Sequence, residues 1–207
     1  MPTRIKICGI TRRDDAWQAA AAGAHAIGLM FYRKSPRYLP VDQAVSIRRA
    51  LPPFMAAVAV FMDAEAAEVR AVAQQLRPDL LQFHGREPAD FCAAFGLPYL
   101  KTIPMGGVEP AAYAAQYPTA AGFLLDSHAP GAAGGSGRAF DWTRVPAGLS
   151  APLILAGGLT PDNVAEAVRR VRPYAVDVSS GVESSPGIKD AGLMQAFVKG
   201  VQRGDLE

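Results

Sequence analysis

The feature that most constrains this chain is an alternation. Short apolar runs recur eight times, and Ala-rich stretches with helical spacing separate them. The runs are IKIC, AIGLMF, AAVAVF, LLQFH, YLKTI, GFLLD, LILAG and YAVDVS. Between them lie segments such as TRRDDAWQAAAAG, PVDQAVSIRRAL, AEAAEVRAVAQQL, PADFCAAF, EPAAYAAQY and TPDNVAEAVRRV, and DAGLMQAFVKGV closes the set. The segment after the sixth run is the weakest helix; DWTRVPA holds at most one turn. Strand–helix alternation implies a parallel sheet. Eight units imply a (β/α)8 barrel, a single domain over residues 1–207. At about 26 residues per unit the barrel is near the small end of its range. A doubly wound open sheet is the structural alternative, but it normally uses fewer strands.

Parity along the strands sorts side chains by face. Lys6 and Cys8 share one face of the first strand and Ile5 and Ile7 the other. Gln82 and His84 oppose Leu81 and Phe83; Leu124 and Asp126 oppose Phe123 and Leu125; Asp177 and Ser179 oppose Val176 and Val178. The apolar face meets the helices and the mixed face points into the barrel. Four strands thus aim polar groups inward near their C-terminal ends, where barrels of this kind carry their active sites.

Composition excludes several alternatives. The net charge is +2 with no acidic or basic tail, so there is no bulk electrostatic case for nucleic-acid binding. The longest apolar stretch, LPPFMAAVAVFM, is too short to span a bilayer, and MPTRIKICGI has no signal-peptide core. A cytoplasmic protein is expected. Two cysteines do not make a disulfide framework. His25, His84 and His128 are far apart in sequence and no HxxH or CxxC spacing occurs, so no metal site is expected. No exposed apolar stripe is evident, which favours a monomer over a homodimer.

Several stretches can carry chemistry. LILAGGLTPDN and VDVSSGVESSPG place glycine or serine directly after strands seven and eight. Those loops commonly hold a phosphate, because backbone N–H groups there are exposed and a helix N-terminus adds to them. Gly157, Gly158, Ser180 and Gly181 let the backbone approach the oxygens closely; tight turns are the alternative reading. The Gly-rich loop SHAPGAAGGSGRAFDW reads as a lid or as a surface loop. Arg33, Lys34 and Arg37 crowd the loop after strand two, either as solvated surface or as a site for an anionic substrate. Asp126 suits a general acid if burial raises its pKa, or else caps a turn. Asp177 suits hydroxyl binding or catalysis, and His84 is a substrate or structural hydrogen-bonder. Cys92 reads as core packing in an amphipathic helix. Cys8 ends a strand and shares its face with Lys6, a cation that favours thiolate.

Taken in order, KICGIT, GLMFYRKSPRYL, QFHG, LLDS, GGSGRAFDW, AGGLTPDNV and VDVSSGVESSPGIKD resemble the phosphoribosylanthranilate isomerases. The resemblance runs from about residue 4 to residue 192. It implies a (β/α)8 barrel and an Amadori rearrangement in tryptophan biosynthesis. In that reaction N-(5-phosphoribosyl)anthranilate becomes 1-(2-carboxyphenylamino)-1-deoxyribulose 5-phosphate, with no metal or organic cofactor. By resemblance Cys8 matches the general base, Asp126 the general acid and Arg37 the residue that holds the anthranilate carboxylate. The glycines and Ser180 match the phosphate site. One departure is Ala156, where a serine is expected before the glycines; backbone donors remain there.

Two other readings stand beside this one. The related histidine-pathway sugar-phosphate isomerases resemble the same chemistry with an aspartate where Cys8 stands. A non-catalytic phosphate-ligand binder would have lost the acid or the base, and both are present. The expected partner is a small anionic molecule.

Overall fold

In the computed structural model, residues 1–128, 140–146 and 148–206 are described. Eight parallel strands close into a barrel in sequence order: β1 (Arg4–Cys8), β2 (Ala26–Met30), β3 (Ala56–Phe61), β4 (Leu80–Phe83), β5 (Tyr99–Pro104), β6 (Gly122–Asp126), β7 (Leu153–Leu155) and β8 (Ala175–Val178). Pairing of β1 with β8 closes the ring, with Ile5 beside Val176 and Lys6 beside Asp177. All eight expected strands are present, and the open sheet is excluded by closure.

Helices α1 (Arg13–Ala22), α2 (Val41–Ala50), α3 (Ala66–Leu76), α4 (Ala89–Ala93), α5 (Pro110–Ala114), α6 (Val164–Val171) and α7 (Ala191–Leu206) follow all but the sixth strand. After β6 a single 3-10 turn, Trp142–Arg144, takes the helix position. α6 begins three residues later than the Thr-Pro signal implies, with Asn163 rather than Thr160 at its N-cap. Asn163 folds the chain back first: its side chain accepts from the Thr160 N–H at 2.8 Å and donates to the Gly158 carbonyl at 2.9 Å. A small hairpin, β9 (Glu183–Ser185) and β10 (Ile188–Lys189), follows β8 around the Ser-Pro-Gly turn. The expected lid falls largely on residues 129–139, which lie outside the described residues.

The two faces of the strands separate as their alternation predicts. Ile5, Ile7, Leu81, Phe83, Phe123, Leu125, Val176 and Val178 belong to the large apolar cluster between strands and helices. Leu100, Leu124, Ile154, Ala156 and Ala175 form a separate inner cluster, and Val58 and Val60 pack with Cys8 in another. On the outer face Phe31, Phe61 and Phe83 stack across β2 to β4 at 5.4 and 6.1 Å between centroids. Such pairs each add about 0.5–1.5 kcal/mol beyond the area they bury.

One ion pair is wholly enclosed on that outer side. Lys101 on β5 reaches Glu87 at 2.9 Å and the Gly85 carbonyl at 2.7 Å. Glu87 in turn accepts from the Asp63 N–H at 2.7 Å. These bonds tie the loops after β3 and β4 to β5, beneath the rim where the site lies.

Candidate active site

Cys8, Gln82, His84, Asp126, Asp177 and Ser179 converge on one cavity at the C-terminal mouth of the barrel. Met30, Tyr32, Lys34, Arg37 and Met62 also line it. Five of these residues were expected at the site from the sequence: Cys8, Arg37, His84, Asp126 and Asp177.

Cys8 is 6% exposed. The residue opposite it on β2 is Gly28, and a methyl group there would stand 2.5 Å from the sulfur. Glycine therefore makes the room in which the thiol sits. The next residue, Gly9, has φ +73° and leaves space that the Arg37 side chain fills. The expectation that a cation favours thiolate is only half right. Burial raises the thiol above its ordinary pKa, and Lys6 offsets this in part.

Lys6 donates to Asp177 at 2.8 Å, as the strand register requires. Burial alone would lower Lys6; Asp177 and Cys8 outweigh it and hold the ammonium above its usual range. Asp177 thus carries a fixed cation within the barrel while still facing the cavity.

Asp126 ends β6. Its suitability as a general acid is conditional on burial raising its pKa. Burial does push it up, but two imidazoles outweigh that and leave it below its ordinary value. His128 Nδ1 lies 3.6 Å and His84 Nε2 3.7 Å from its Oδ2. The two rings stack at 4.5 Å. Burial lowers His84 to about 4, so it is neutral at physiological pH. Its Nδ1 faces Thr102 Oγ1 at 3.2 Å. His84 and His128, far apart in sequence, are thus brought together by the fold, whereas His25 stands apart, its Nδ1 accepting from the Ile5 N–H.

Arg37 makes a two-pronged contact with Glu183, at 2.8 and 2.7 Å. Glu183 also receives Lys189 at 2.7 Å. One edge of the guanidinium is thus held by the β9–β10 hairpin, and the rest remains on the cavity wall.

Gly157, Gly158, Ser180 and Gly181 do not line that cavity; they lie in the neighbouring loops. Gly157 and Gly158 have φ of +80° and +67°. A Cβ on Gly157 would stand 2.6 Å from the Ser127 N and 2.9 Å from Asp126 Oδ1. Gly181 packs against the Leu159 carbonyl so closely that a side chain is excluded. The N–H groups of Gly157 and Gly158 have no hydrogen-bond partner among the described residues. Gly157 thus lies directly beside Asp126 and Ser127.

Cys92 is buried, with its sulfur 3.7 Å from the Glu87 carbonyl, and serves as core. Sequence reasoning missed His128, Gly28, Glu183 and Lys189. Extending the β6 alternation by two residues beyond Asp126 would have found His128.

A closed parallel barrel with a thiol, carboxylates, an arginine and glycine loops gathered at its C-terminal mouth is that of a (β/α)8-barrel enzyme acting on a small anionic molecule. The comparisons are more specific. The profile of the family described as N-(5'phosphoribosyl)anthranilate (PRA) isomerase matches residues 5–200. The chain is 56% identical over 200 residues to the N-(5'-phosphoribosyl)anthranilate isomerase of Pseudomonas paraeruginosa, covering 96% of this chain and 95% of that one. The phosphoribosyl anthranilate isomerase of Thermus thermophilus superposes with a TM-score of 0.86 at 36% identity, over 99% and 100% of the two chains. A phosphoribosyl anthranilate isomerase solved with reduced 1-(o-carboxyphenylamino)-1-deoxyribulose 5-phosphate gives 0.82 at 35% identity, over 97% and 98%. This chain belongs to the N-(5'-phosphoribosyl)anthranilate isomerase family.

Proposed function

We propose that the chain, as one barrel domain, isomerises N-(5'-phosphoribosyl)anthranilate to 1-(2-carboxyphenylamino)-1-deoxyribulose 5-phosphate, a step of tryptophan biosynthesis. The observation that carries this is Cys8 and Asp126 meeting at one cavity in a chain of this family. The relative with a reduced form of the product bound supports the same substrate class.

In this reading Asp126 gives a proton to the furanose ring oxygen, and the ring C–O bond opens to a Schiff base. The Cys8 thiolate then takes the proton from C2. The resulting enolamine takes a proton at C1 while its C2 hydroxyl loses one and becomes the ketone; two protons gained and two lost leave the product an isomer. The free protein holds the opposite charge pattern, with the thiol raised and the carboxyl lowered. Substrate reverses it on electrostatic grounds. A phosphate at Gly157 brings negative charge beside Asp126 and raises it, and the cationic Schiff base favours thiolate. Gly157, Gly158, Ser180 and Gly181 hold the phosphate, and the free edge of Arg37 holds the anthranilate carboxylate. His84 and Asp177 orient sugar hydroxyls.

A cytoplasmic location belongs to the same proposal and is supported by the family's biosynthetic role. No helix among the described residues is long and apolar enough to cross a membrane. A monomer is the proposed state; light scattering at twice the chain mass would replace it. Proton NMR of the product tests the reaction. Loss of the anomeric proton with gain of a C1 methylene is expected, and unchanged substrate would refute it.

A further inference from the structure

His128 has no part in the reaction above, yet it completes a set. His84 Nε2, Asp126 Oδ2 and His128 Nδ1 lie within 4.8 Å of one another. Both nitrogens are buried and lack a hydrogen-bond partner among the described residues. Two imidazoles and a carboxylate are the donors that borderline divalent ions prefer, with a fourth position open. Bonds of about 2.0–2.1 Å set tetrahedral ligands roughly 3.3 Å apart. The 3.6 and 3.7 Å separations from Asp126 need close by only a few tenths of an ångström, whereas the two nitrogens, within 4.8 Å of each other, must approach by up to about 1.5 Å. Thr102 Oγ1, 3.2 Å from His84 Nδ1, can accept that nitrogen's proton and leave Nε2 a free lone pair. The rings are within 19° of parallel, so capture must turn one of them until both lone pairs converge.

We propose that His84, Asp126 and His128 form a site for one zinc-class divalent ion, and that filling it inhibits the enzyme. Inhibition rests on the reading of Asp126 as the acid; binding does not. The filled site blocks the reaction, because the ion holds the carboxylate that must give its proton to the ring oxygen.

Chelator-treated full-length protein titrated with Co2+ tests this through its visible absorption, with Zn2+ as competitor. One equivalent should bind, with no thiolate charge-transfer band, and Cys8→Ser should give the same spectrum. His128→Phe should weaken binding at least about tenfold. His84→Gln should do the same and serves if His128→Phe does not fold by circular dichroism. Zn2+ should suppress turnover and a chelator restore it. Absence of a one-to-one complex, an undiminished complex in both histidine variants, or a sulfur band lost in Cys8→Ser would overturn the site. Tight binding without loss of turnover would overturn the inhibition and the acid assignment with it.

Discussion

Cys8 on β1 and Gly28 on β2 are register partners, and the sulfur occupies the space that a side chain at Gly28 would take. A methyl 2.5 Å from the sulfur cannot be accommodated without moving it. Gly28→Ala should therefore displace the thiol while leaving the barrel closed. A shift of about 1 Å in a reacting group costs roughly a hundredfold in rate. Steady-state kcat for Gly28→Ala should fall by that order with KM little changed. A kcat within twofold of wild type would show that the thiol's position does not matter.

Cys8→Ala and Asp126→Asn should each lower kcat by about 10²–10⁴, the range for a removed acid or base. Neither residue belongs to the glycine loops, so binding of a phosphate-bearing product analogue, read by calorimetry, should persist. Near-normal turnover in Cys8→Ala would remove it as the base.

Glu183 holds Arg37 and Lys189 together. Burial alone would raise its pKa; the two cations more than offset this and leave it below 4.5. A depressed carboxylate pKa gives stability that is present above the unfolded value and lost as pH falls through the folded one. Glu183→Gln should cost about 3–5 kcal/mol at neutral pH by stranding buried cations. The gap to wild type, measured by urea unfolding, should narrow as pH drops below 4.5. A gap independent of pH would place the loss elsewhere.

Lys101→Met leaves Glu87 buried without its cation and should cost about 3–5 kcal/mol. Adding Glu87→Gln should recover part of this in the same unfolding assay, since the stranded charge is gone. No recovery would mean that packing, not charge, sets the cost.

The barrel was legible because strands and helices repeat at two different periods, and strand parity carried Cys8, His84, Asp126 and Asp177 to one mouth. Arg37 was legible as a cation on the rim, but not its partner. Glu183 sits 146 residues away, and nothing local in the Ser-Pro-Gly hairpin announces that pairing. His128 was dismissed on sequence distance, although β6 turns it back onto His84. The charge states of Cys8 and Asp126 were not legible at all. They follow from burial weighed against neighbours on other strands, which only the closed barrel brings together.

The central claim is tested most directly by turnover of the wild-type chain on phosphoribosylanthranilate, followed by its anthranilate fluorescence, beside the histidine-pathway aldose substrate. Rapid loss of fluorescence with the first substrate and negligible conversion of the second is the expected result. No conversion of phosphoribosylanthranilate, or preference for the histidine-pathway substrate, would contradict the account.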